Sequence, residues 1–397
     1  MAAAPALAMT SVSPFRVRNR DQGGIAAIEL RDERSGAYAV LARRGATLLD
    51  WRVPHAGELV ALTDGYQSAD ELAGQNGVRN GIMVPFPNRI ADGRYRFEKR
   101  EHDLLPGVPT AERLIYHGFL RGMDLAIANV QETAGGASVL FTGTIRPDSF
   151  PGYPFALKLN VRVSFAARSL ALFVTATNIG EHAAPYAAGW HPYFRLGDAP
   201  LDSLELTIPA THCIVTDGQL FPLADAAAYA PVDAGPLPDF RLPRPIGDAV
   251  IDGCYGGAGR DGGHVGSAEA ERVAAIPASD SVPAPLGGMR CASPALRVGD
   301  SDGLIRSRLR DPATGRQLTI WQRGGLTHVF TGDTLARDPR RAIAIEPVEA
   351  MTDAFNRPDC ARDVRLPPGA TSSFSCGVEF DVNVAGTPPN PFSATTA

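Results

Sequence analysis

Apolar and polar residues alternate with a period of two through much of this chain. Phe155, Leu157, Leu159, Val161, Val163 and Phe165 fall on one parity. Ala156, Lys158, Asn160, Arg162 and Ser164 fall on the other. In an extended chain successive side chains point to opposite faces, so this stretch predicts a strand with one buried face. Ser169–Thr177 follows after Ala166, Ala167 and Arg168, and the two stretches predict a hairpin. Shorter runs predict strands at Ile25–Leu30, Ala37–Leu41, Ala46–Trp51, Ser203–Ile208, Gln317–Gln322, Thr327–Thr331, Ala342–Glu346 and Ser372–Asp381. Only Ser68–Gly74 hints at a helical turn. Many short strands without alternating helices predict an all-β fold, a large antiparallel β-sandwich, rather than an α/β fold.

Punctuation along the chain sets the expected organisation. Residues 1–14 and 384–397 read as flexible ends, the latter because Pro388, Pro389 and Pro391 cannot join a packed element. Residues 15–383 read as a single domain. Within it, residues 255–293 are rich in Gly, Ala, Ser and Pro and read as an insertion between two strands.

Composition narrows the partners. A formal charge of −5, with no basic block, argues against nucleic acid. No run approaches the roughly 18 apolar residues of a membrane span. The first residues carry no early positive charge, and no secretory signal is read there. Cys213, Cys254, Cys291, Cys360 and Cys376 are widely spaced and odd in number, which suits reduced thiols in a cytoplasm better than a zinc site. The histidines at 55, 102, 182, 212, 264 and 328 show no ligand spacing, so neither a metal nor a cofactor is expected.

Five segments carry candidate chemistry. Ala342–Ile345 is an apolar run that leads into Glu346 and stops at Pro347, which reads as a buried strand with a carboxylate at its exit. A carboxylate there costs desolvation energy unless it has partners or a task, and Glu346 is read as a general base. In Gly189–Arg195, His191 lies among Trp190, Tyr193 and Phe194. Aromatic faces suit a sugar ring and His exchanges protons near neutrality, although an aromatic core patch would look the same. His117, beside Tyr116 and Gly118, fits either a site or a structural role. Asn88-Arg89 projects from a turn stiffened by Pro85 and Pro87, where Arg89 either holds vicinal hydroxyls or pins the loop. Asp252 is equally a turn residue or an acceptor for sugar hydroxyls.

Taken in order, these stretches resemble the aldose 1-epimerase (galactose mutarotase-like) family, and the His191-Pro192-Tyr193-Phe194 form resembles its bacterial branch. The resemblance runs through 85–97, 116–122, 177–197, 239–252 and 344–356. It implies a β-supersandwich with a site on one concave face. By motif it implies Glu346 as general base, His191 as general acid and His117 as a second active-site histidine. Arg89 and Asp252 would bind sugar hydroxyls, with Asn88 beside them. Glu349 is the rival carboxylate, and the insertion bears on Asp252. The expected substrate is a free aldohexose, handled by a monomer or homodimer. A phosphorylated sugar would call for an Arg cluster, with Arg94, Arg121 and Arg195 as candidates. A non-catalytic sugar-binding protein would lack the acid or the base. Glu346 and His191 are expected to flank the sugar rather than bond each other.

Overall fold

The computed structural model describes residues 13–257 and 303–382. The expected tail, most of the N-terminal end and the insertion from residue 258 onward lie outside these residues. Tyr255 and Gly256 belong to the strand Asp252–Gly256, so the insertion does not begin at 255.

Three antiparallel sheets dominate. Leu157–Ala166 and Ser169–Asn178 form the expected hairpin, with Ala166 opposite Ser169. They sit in a nine-stranded sheet beside Thr371–Val382 and Arg316–Arg323. Five N-terminal strands, from Phe15–Gln22 to Glu58–Ala61, form a second sheet. The third has eight strands. Along its path Asp252–Gly256, Leu326–Phe330, Ile343–Val348, Gly189–His191 and Gly81–Met83 are successive neighbours. Leu159, Val161, Val174, Leu318 and Val378 of the nine-stranded sheet share one apolar core with Trp190, Val329, Ile343 and Ile345 of the eight-stranded sheet. Each fully buried aliphatic side chain contributes roughly 1.5–3 kcal/mol to such a core. The fold is all-β, as the alternation predicts. No helix among the described residues is long and apolar enough to cross a membrane.

Two local expectations change. Ser203–Ile208 is not one strand. The amide and hydroxyl of Ser203 both donate to the Pro200 carbonyl, closing a 3-10 turn at Leu201–Ser203, and only Glu205–Thr207 is extended. Pro347 does not end its strand either, because Ile343–Val348 runs through it and Pro347 lies opposite Thr327. Ile345 and Glu349 donate toward Pro192 and Ala188 on the other side, and Pro347 shares their parity. Its missing N–H therefore faces the break between the short strands Gly189–His191 and Tyr193–Phe194. There only Gly189 opposite Val348 is paired, and little ladder is lost.

Candidate active site

Parity builds one wall of the site. Ile343 and Ile345 point into the main core, whereas Ala344 joins a separate cluster with Tyr193 on the opposite face. Glu346 shares the parity of Ala344 and so leaves the core face. His328 is its direct partner on the neighbouring strand, and Cys254 is the partner of His328 on the next. Directly opposed residues project to the same side of a sheet. Asp252, two residues before Cys254, reaches His328, with Oδ1 2.8 Å from Nε2. On the other flank, Trp190 enters the core and His191 turns away from it, bringing Nε2 to 3.3 Å from Glu346 Oε1. Four neighbouring strands thus deliver Asp252, His328, Glu346 and His191.

Loops supply the second wall. Arg89 and Tyr116 form an isolated bridge, as do Val84 and Gly118, which locks the two loops together. The Asn88 N–H donates to Nδ1 of His117 at 3.1 Å, and the His117 N–H donates to the Asn88 carbonyl at 2.9 Å. Both residues have left-handed backbone, with φ of 55° and 60°. The His117 ring meets the His191 ring edge-on at 5.1 Å, and Tyr193 stacks on the other side of His191 at 5.0 Å. Arg89 reaches across to Asp252, with Nη2 3.7 Å from Oδ2.

Burial decides the charges. Glu346 is 2% exposed, and burial pushes its carboxyl up to about 8 against the opposing pull of the His328 charge. Burial and the His328 charge push His191 down to about 3. Burial, with His191 and Arg121 nearby, holds His117 well below its ordinary value. His328 behaves oppositely. Burial opposes its charge, but Glu346 and hydrogen bonds with Asp252 and Cys254 outweigh that and hold it well above the usual imidazole range. Asp252 is likewise held low: burial pushes it up, but the hydrogen bond and charge of His328, then Arg89, prevail. Near neutrality the site contains neutral His117 and His191, a charged His328 and an ionised Asp252. The 3.3 Å contact between His191 and Glu346 then shares a single proton.

All six residues singled out in the sequence come together here. From the sequence, Glu346 and His191 are expected to flank a sugar, whereas the structure sets them side by side. Glu349 is engaged elsewhere, its Oε2 accepting from the Ala188 N–H at 2.8 Å. His328 is the addition. Its signal was the alternation of Leu326–Phe330, which gives it the parity that faces away from Val329, and a hairpin return that puts it opposite Glu346.

Known proteins share the fold and the family. The aldose 1-epimerase family matches residues 26–280, a stretch that includes Asn88, Arg89, His117, His191 and Asp252. An uncharacterized Escherichia coli K12 protein, YihR, is 34% identical over 137 residues; the shared stretch is 34% of this chain and 42% of that one. The chain therefore spans less than half the length of this curated relative. Galactose 1-epimerase from Lactobacillus acidophilus has a similar fold, with a TM-score of 0.68 and 15% identity over 94% of this chain and 100% of that one. A galactose mutarotase-like protein from Clostridium acetobutylicum gives 0.69 and 11%, covering 93% and 99%. With the family matched over more than half its length, this chain belongs to the aldose 1-epimerase family of isomerases.

Proposed function

We propose that this protein is a mutarotase that interconverts the α and β anomers of a free aldohexose such as galactose or glucose. The observation that carries this reading is the 3.3 Å approach of His191 Nε2 to Glu346 Oε1. Ring opening at C1 takes a proton from the C1 hydroxyl and gives one to the ring oxygen. Both oxygens are bonded to the same carbon and sit side by side. An acid and a base that are themselves side by side match them better than a pair on opposite faces of the ring.

Between the values of about 3 for His191 and about 8 for Glu346, the pair holds one proton. That proton rests on Glu346; in the form that opens the ring it has passed to His191, so that Glu346 as carboxylate takes the hydroxyl proton while His191 gives its proton to the ring oxygen. The open aldehyde turns about C1–C2, and the two groups exchange roles as the ring closes. No redox change is involved. Each positioned transfer contributes roughly 10²–10⁴-fold. Arg89 and Asp252 hold ring hydroxyls, Asn88 lies beside them, and His117 presents Nε2–H to the oxygen that develops charge. The buried thiols of Cys213, Cys254 and Cys376 suit a reducing compartment such as the cytoplasm.

The test is polarimetry of freshly dissolved α-D-glucose and α-D-galactose, with wild type and Glu346→Gln. Fast equilibration by wild type, lost in the variant, is the expected result. Absence of acceleration with both sugars overturns the reading for free hexoses.

One observation favours a second substrate. Arg121 donates to Gln75 Oε1 and to the Tyr116 carbonyl, and among the described residues it has no carboxylate partner. Its charge bears on His117 and His191. Arg94 and Arg195, by contrast, pair with Asp103 and Asp198. A phosphorylated hexose would use the charge that Arg121 leaves uncompensated, and the same assay with glucose 6-phosphate decides between the two.

A further inference from the structure

His328 has no part in the reaction as described above, yet it is the best-anchored ionisable group in the site. Resting on the acid–base reading of Glu346 and His191, we propose that His328 is a positioning residue for that reaction. Clamped on Asp252 and lying opposite Glu346 in the sheet, its ring sets how firmly Glu346 holds its proton.

Three contacts define the clamp. Nε2 lies 2.8 Å from Asp252 Oδ1, and an ionised carboxylate only accepts, so this nitrogen carries a hydrogen. Cys254 lies directly opposite His328 on the strand on the side away from Glu346. The strand register puts His328 directly opposite Glu346, on the same side of the sheet. The ring is 8% exposed, so water screens little of what passes between the two groups.

The neighbouring charges support a cation at this position. Asp252 pairs with His328 independently of Glu346, so part of what favours the cation remains when Glu346 holds its proton. On the Glu346 side stand His191 and Arg89, and Tyr193 lies beside the pair. On the His328 side, His117 and His191 are the other ionisable neighbours, and both are held neutral by burial. An opposite charge at close range lowers a carboxyl by about 1–3 units. Burial raises the Glu346 carboxyl, and His328 is the main force that opposes it. Without that opposition, Glu346 would hold its proton to higher pH.

A simpler role would be to pin Asp252 through one hydrogen bond. His328→Gln separates the two roles, because an amide donates the same hydrogen bond without a charge. If His328 acts by its charge, the pH–rate profile of His328→Gln shifts along the pH axis. The alkaline fall of kcat/KM, where the pair loses its proton, moves up by about one unit or more. If His328 only pins Asp252, the profile keeps its shape and position.

A second measurement needs no turnover. The unliganded full chain is prepared with isotope-labelled histidine and titrated by NMR, with the His328 ring signal identified by through-bond correlation to its assigned backbone. In Glu346→Gln, its midpoint is expected to fall by about one unit or more. An unchanged midpoint, or a pH–rate profile that is only scaled down in His328→Gln, overturns the proposal. The two variants are independent, so either decides if the other does not fold. Wild type that fails to equilibrate sugars would overturn the mutarotase reading alone, while the NMR titration still decides the coupling.

Discussion

Asn88 and His117 hold each other through two reciprocal contacts, the Asn88 N–H on Nδ1 of His117 and the His117 N–H on the Asn88 carbonyl. The first contact settles the tautomer. Nδ1 accepts, so the neutral ring carries its proton on Nε2. Nitrogen NMR is expected to show a protonated Nε2 and an unprotonated Nδ1, with no titration through the neutral range. His117→Phe keeps an aromatic ring but loses the donor, and kcat/KM is expected to fall about 10²-fold. A ring that titrates near its ordinary value would sink this assignment.

Stability should decline as pH rises from 4.5 toward 8 because of Glu346. Its carboxyl is pushed up to about 8 in the folded state, from the ordinary 4.5. Between these values the unfolded chain has released this proton and the folded chain has kept it. Unfolding therefore becomes easier as pH rises from 4.5 toward 8, at up to about 1.4 kcal/mol per pH unit from this group. Glu346→Gln removes the linkage while keeping the shape. Denaturant melts across this window should show a flatter profile for the variant, with its advantage growing toward pH 8. Parallel profiles would contradict the burial argument.

Gly118 is the hinge on which the His117 loop turns. Its φ is +60°, and a Cβ there would lie 2.2 Å from the Val84 carbonyl oxygen. The backbone conformation alone costs a residue with a side chain roughly 1–3 kcal/mol. The oxygen cannot retreat freely, because it accepts from the N–H groups of both Phe119 and Leu120. Gly118→Ala is expected to lower the denaturant midpoint and to reduce turnover, since His117 is the adjacent residue. A variant with wild-type midpoint and turnover would show that the loop adapts.

Parity was the legible part of this fold. The alternation of Phe155–Phe165 predicted a strand and a hairpin partner, and both are found. The apolar run before Glu346 likewise led to a carboxylate that meets His191. What could not be read was register between distant segments. His328 shows no partner spacing along the chain, because its partner lies 18 positions on, across a hairpin. Pro347 misled for the opposite reason. Its stop signal assumes a ladder on both sides, and one side here is interrupted. The left-handed Asn88 and His117 carried no compositional mark, because that conformation is imposed by the neighbouring loop.

The strand Ile343–Val348 has a consequence for how activity arises during folding. Its two isoleucines are anchors in the core, and Glu346 is displayed only because its neighbours on both sides are anchored. A slip of one residue would bury the carboxylate in hydrocarbon and turn the isoleucines toward the sugar. Chemistry and hydrophobic sorting are thus decided by the same event. A chain slipped here would lack the carboxylate at its site, so turnover reports that this strand has found its place.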